Sequence, residues 1–149
     1  MALKAPDLTK QPPRSPRVRL GGYAILPRIL DKGRAVIAGT NGDYNYACPL
    51  DENFLEFAGV DPAALKLELA AGNGDGEILA WILKHQKHPR TASEIAAWSG
   101  YQDQRAPAEP EGREFFNGVH LKLAPKREDI VTWADLLDLD DYVSFGGQA

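Results

Sequence analysis

Arg14, Arg17 and Arg19 recur at two- and three-residue intervals in a proline-rich lead-in, and Arg28, Lys32 and Arg34 follow in the next segment. A guanidinium offers a planar fork to carboxylate or phosphate, so these six side chains are the best candidate in the chain for an anion site. Tyr23, Tyr44 and Tyr46 could add stacking surfaces beside them. Asp31 and Cys48 are the candidates for proton transfer or nucleophilic attack, and Cys48 would need a base close by to act.

Other patterns have weaker chemical readings. Gly72-Asn-Gly-Asp-Gly76 precedes a helical pattern but lacks the G-x-G-x-x-G spacing of a dinucleotide loop and the Gly-Lys-Ser/Thr ending of a P-loop, and Asp75 would repel phosphate. A helix-to-helix turn explains these glycines, and the flanking Ala71 and Ile82 do not supply the acidic ligands of a calcium loop. His85, His88 and His120 join Cys48 as imaginable zinc ligands, yet His85 continues an apolar stripe and, with His88, lies near a helix end where imidazole meets the last carbonyls. No metal or cofactor is therefore expected. No G-x-S-x-G elbow or H-E-x-x-H helix occurs.

The 149 residues carry a net charge of -4 that conceals a division. Residues 1–39 hold eight basic side chains against Asp7 and Asp31, a balance of +6, while the remainder holds 9 basic and 19 acidic ones, a balance of -10. Such an asymmetry fits either an anionic partner or a basic segment lying along its own acidic body, and Asp135, Asp138, Asp140 and Asp141 are ready partners for the arginines. The acidic remainder disfavours nucleic acid as a partner. A small anionic ligand or a protein partner is expected instead, with the oligomeric state open. No apolar run is long enough for a bilayer, no signal-like leader opens the sequence, and a single cysteine forbids an intrachain disulfide, so a cytoplasmic location away from membranes is expected.

Residues 1–20 read as an extended basic arm, because Pro6, Pro12, Pro13 and Pro16 remove donors and restrict their predecessors. Residues 21–149 read as one helical domain. Gly22 to Ala38 has helical periodicity with Gly39 as its stop, and Pro27 either kinks that helix or moves its start to about Leu26. Tyr44 to Cys48 reads as a short extended piece, with a hairpin from Val36 to Tyr46 as the competing assignment. Asp51 is the expected cap of a helix through Phe54 and Phe57, and Asp61-Pro62 opens another that Gly72 ends. Ile78, Trp81, Ile82 and His85 mark an amphipathic helix ending around Lys87, and Thr91-Ala-Ser-Glu94 is a capping box. Glu114 to Leu123 and a short segment from Thr132 through Leu137 complete the set. The fold expected is mainly α, a compact single domain of about five to seven short helices with long connections and room for a minor β-hairpin.

Four stretches, Pro13-Arg-Ser-Pro-Arg-Val-Arg-Leu-Gly-Gly-Tyr23, Leu26-Pro-Arg28 with Asp31-Lys32, Cys48-Pro-Leu-Asp51, and Thr132-Trp-Ala-Asp-Leu-Leu137 through Asp140-Asp-Tyr-Val-Ser-Phe-Gly-Gly147, carry a resemblance. Together they resemble the bacterial domain of unknown function family 5069 along nearly the whole chain. The resemblance implies no activity, so it assigns no catalytic residues. Gly33 departs from the helix former expected there, at a helix cost of about 1 kcal/mol relative to alanine. The function expected is a binding or protein-interaction module whose basic surface comes from its N-terminal segment. The alternative is an enzyme acting on a small phosphorylated or carboxylated metabolite held by the arginines.

Overall fold

Gly21 and Gly22 both have positive φ, 59° and 83°, the pair of angles that a tight two-residue hairpin turn requires. They join β1 (Arg19–Leu20) to β2 (Tyr23–Ala24) in the computed structural model, which describes residues 2–149, with Arg19 opposite Ala24 and Leu20 opposite Tyr23. The minor hairpin thus lies ahead of the first helix and not between Val36 and Tyr46. The central amide of this ribbon is fixed from outside: Ala24 N–H donates to Ser99 Oγ at 2.9 Å, and the same hydroxyl donates to the Gly22 carbonyl at 2.7 Å.

Seven helices follow among the described residues. The first, α1 (Leu26–Ala38), begins at the later of the two starts that Pro27 allowed. A proline in the first turn forfeits no helical hydrogen bond, because those amides have no intrahelical partner, so no kink is needed. Gly39 ends α1 in the left-handed conformation at φ 73°. Residue Ile25, just before α1, also has φ 73°, a costly angle for a β-branched side chain, and its amide is held by the Pro16 carbonyl at 2.9 Å. The arm thereby sets the entry angle of α1.

Residues 44–48 form no strand: turns at 42–43 and 46–47 take the place of the extended piece, with Ala47 at φ 58°. Helix α2 (Pro49–Ala58) then starts with Cys48 at the N-cap, so Asp51 lies inside its first turn and is not the cap. Its carboxylate is turned inward to a lysine on α1, which sequence periodicity does not reveal. Asp61 does cap α3 (Pro62–Ala70), accepting from Ala64 N–H at 2.9 Å. The glycine-rich stretch is the turn into α4 (Asp75–His85), which stops two residues short of Lys87. The Thr91 capping box opens α5 (Ala92–Gln104) as expected. Helix α6 (Pro110–Leu123) starts four residues before Glu114, since Pro110 is suited to a first turn, and α7 (Trp133–Ser144) runs beyond Leu137.

Helix α1 is the centre of the molecule. Leu26, Ile29 and Leu30 are fully buried with Tyr23, Phe54, Leu65, Leu69, Ile78 and Ile82 in the main core. A smaller cluster, built on Phe116, Ile130, Leu136 and Leu139, joins α6 to α7. Gly33 permits the close approach of α1 and α3: a Cβ there would lie 2.6 Å from Leu69 Cδ1 and 3.1 Å from Tyr46 Cε1. Its low helix propensity is offset by this packing. The arm is docked, with Leu8 buried and its amide donating to the Thr40 carbonyl at 2.8 Å. Among the described residues, no helix is long and apolar enough to cross a membrane.

Candidate functional site

Because α1 is central, polar side chains along it are carried into the interior and must find partners there. Arg28, Lys32 and Arg34 are buried, and each meets a carboxylate of the same chain. Arg28 Nη1 donates to Asp141 Oδ2 at 2.8 Å and to the Arg14 carbonyl at 3.2 Å, with its guanidinium over the Tyr44 ring. Lys32 Nζ donates to Asp51 Oδ1 at 2.8 Å and to Cys48 Sγ at 3.2 Å. Asp51 is fully buried, and its other oxygen, Oδ2, has no hydrogen-bond partner.

These groups border an open cleft of about 680 Å³ between the arm, α1, the 42–48 turns and the end of α7. Arg28, Lys32, Tyr44 and Cys48 are on its wall, with Asp43 and Asp140 also lining it. Tyr44 Oη donates to Asp141 Oδ1 at 2.7 Å. Burial raises the Tyr44 phenol above its usual range, and the bond to Asp141 raises it further, so the hydroxyl stays protonated and orients the carboxylate that holds Arg28. An ammonium has three donors, and the bonds of Lys32 to Cys48 and Asp51 account for two of them.

The other predicted residues do not converge on this space. Arg14 bridges Asp31, at 3.0 Å, and Asp75, at 2.7 Å, and Arg34 reaches the same Asp75 at 2.8 Å. Burial opposes the Arg14 charge, but the bonds to Asp75 and Asp31 outweigh it and raise the guanidinium above its usual value; the bond from Arg14 in turn lowers Asp75. Asp31 is therefore placed as an anchor of the arm. Arg17 binds Asp135 and Asp138 on α7, and Arg19 binds Asp103 on α5 at 2.8 Å. Tyr23 lies in the core against Phe54, ring centroids 5.1 Å apart, and Tyr46 donates to the Pro62 carbonyl at 2.7 Å. Burial raises the Tyr46 phenol as well, and the nearby Asp51 charge adds to the effect.

Sequence reasoning names Asp135, Asp138, Asp140 and Asp141 as partners for the arginines, as the Arg17 and Arg28 pairs show, but it reads Asp51 only as a cap and does not count Asp140 or Asp141 in the site. The four-residue step from Arg28 to Lys32, which puts both on one face of α1, is the signal that Lys32 too needs an acid. The histidines are scattered: His85 donates to the Trp81 carbonyl one turn back, His120 contacts the Arg127 carbonyl, and His88 follows α4. Among the described residues, no group of three or more His, Cys, Asp or Glu side chains is arranged to hold a metal ion.

A family model described as Domain of unknown function (DUF5069) matches residues 10–143. The chain belongs to this family. The match takes in the docked arm from Lys10 and the cleft lining from Arg28 to Asp140, while Leu8, Thr9, Ser144 and Phe145 of the cleft wall lie outside it. A comparison with curated proteins gives no match.

Proposed function

We propose that this chain is a binding protein for a small metabolite carrying a carboxylate or phosphate, and that the cleft beside α1 is its site. The observation that carries this reading is Lys32: a lysine only 3% exposed, fixed by Asp51 and Cys48, with one donor left at the wall of an open cleft. A buried ammonium is costly to keep, and its placement beside open space is a fitting use of that cost. Arg28 adds a second cation on the same wall. Asp43 and Asp140 across the lining favour a ligand of low charge or of mixed sign over a polyanion.

A thermal-shift screen of phosphates, sugar phosphates, nucleotides and small carboxylates tests the reading. Ligand at about 100 times its Kd adds roughly 2.7 kcal/mol of apparent stability. Lys32→Gln should lose the response, whereas Arg127→Gln, which removes a surface pair with Asp129 outside the cleft, should keep it. Equal responses in both variants would move the site elsewhere, and no response to any anion would end the proposal. One observation favours an enzyme as a second reading: Cys48 presents its sulfur on the cleft wall from the N-cap of α2, beside the Lys32 ammonium. In that case a ligand from the screen is turned over by the wild type and not by Cys48→Ser.

A further inference from the structure

The geometry points to Lys32 and Cys48 as an oxidant-responsive pair that a hydroperoxide joins through a covalent N–O–S bridge. Lys32 Nζ lies 3.2 Å from Cys48 Sγ, the two side chains coming from the middle of α1 and the N-cap of α2. Cys48 is partly exposed and lines the cleft, so a small peroxide reaches the sulfur from solvent. It is the only cysteine in the chain, so no second thiol of the same chain can resolve an oxidised sulfur. The nearest group able to do so is the lysine amine.

The chemistry balances with two equivalents of hydrogen peroxide. The sulfur attacks the first, its O–O bond breaks, and Cys48 becomes a sulfenic acid with release of water. The second exchanges with the sulfenic hydroxyl, giving S–O–OH and another water. The Lys32 nitrogen then attacks the oxygen bound to sulfur, the O–OH bond breaks, and hydroxide leaves with a proton as a third water. The sulfur–nitrogen pair loses four electrons, two to each peroxide. Before its attack the ammonium must give up a proton, and Asp51 is placed to take it: Oδ1 already accepts from Nζ at 2.8 Å, and the fully buried Oδ2 is unpartnered. From the 3.2 Å separation, a bridge through one oxygen needs a smaller approach of nitrogen to sulfur than a direct N–S bond does.

The bridge depends on these three side chains alone. Its consequence for binding rests on the reading of the cleft as an anion site, since it converts the Lys32 cation to a neutral nitrogen and ties α1 to α2.

Mass spectrometry of the full chain treated with hydrogen peroxide, before and after dithiothreitol, tests the proposal. The expected product has gained one oxygen and lost two hydrogens, tandem spectra join the peptides holding Lys32 and Cys48, and the thiol reductant restores the starting mass. Lys32→Arg retains a cation beside Asp51 without a primary amine and should give a sulfinic acid at Cys48 with no cross-link; Cys48→Ser should give neither. A wild type that carries a sulfenic or sulfinic acid with Lys32 unmodified, or a linked product that has lost two hydrogens and gained no oxygen, would overturn the proposal. Failure of every anion in the thermal screen leaves this cross-link readout unaffected, so the two ideas fail separately.

Discussion

The Lys32–Asp51 pair sets a measurable demand on stability. At 2.8 Å and an effective dielectric constant near 20, the attraction is about 6 kcal/mol. Most of it is offset by desolvation, because the two side chains are only 4% and 0% exposed. Removing one partner strands the other, so Lys32→Met should cost about 3–5 kcal/mol. The first turn of α2 softens this somewhat, since the helix N-terminus is a favourable place for the abandoned carboxylate. Asp51→Asn keeps an acceptor for Lys32 and should cost less, about 1–3 kcal/mol. The double variant removes both charges, and it should be more stable than the sum of the single losses predicts, by about 2 kcal/mol or more. Urea unfolding followed by the fluorescence of the three tryptophans measures all four proteins. Additive losses within about 0.5 kcal/mol would refute the claim that the charges are buried as a pair.

Three further outcomes follow from the same packing. Gly33→Ala gains about 1 kcal/mol of helix propensity, but its Cβ meets Leu69 at 2.6 Å, an overpacking cost of about 1–3 kcal/mol, so a melting experiment should show a net loss of up to about 2 kcal/mol and no gain. Ser99→Ala leaves the buried Ala24 amide without its acceptor and should cost about 1–3 kcal/mol by urea unfolding, with an unchanged m-value. The Asp75 carboxyl is lowered from 3.8 by its bond to Arg14, against burial, and by Arg34. Its contribution is present above the unfolded value and lost as pH falls through the lower folded one, so Asp75→Asn should flatten the acid limb of a stability–pH curve below about pH 4.

The helices were largely legible because each has a local cause. Thr91 and Thr132 are oxygen caps, Pro62 sits in a first turn and Gly39 supplies a left-handed end, whereas Pro49 and Pro110 open helices that the sequence reading starts later, at Asp51 and Glu114. Each acts within about four residues, the range over which periodicity and capping work. The family resemblance was equally legible, in motifs spread from Pro13 to Gly147. The site was legible in composition only. Arg28, Lys32, Tyr44 and Cys48 were singled out by type, but their grouping depends on α1 being buried on nearly every side, and that depends on contacts with α2, α3 and α7 that are 16 to 113 residues away in sequence.

Asp51 shows why local reasoning fails at such a place. An aspartate followed three residues later by Phe54 has the pattern of a cap, and capping would leave it at the surface. Pro49 instead permits the helix to begin three residues earlier, with Cys48 as the flanking residue, and this advance by most of a turn takes Asp51 from the entrance of α2 to its inner face. There it meets Lys32, and the same advance places the Cys48 sulfur beside the ammonium. The Cys48-Pro-Leu-Asp51 stretch is therefore one device: the proline sets the start of the helix, and that start determines which cation the thiol and the carboxylate share. Replacing Pro49 with a residue that lets the start move should loosen both contacts together, while Thr91→Ala, at a cap remote from α1, should affect neither.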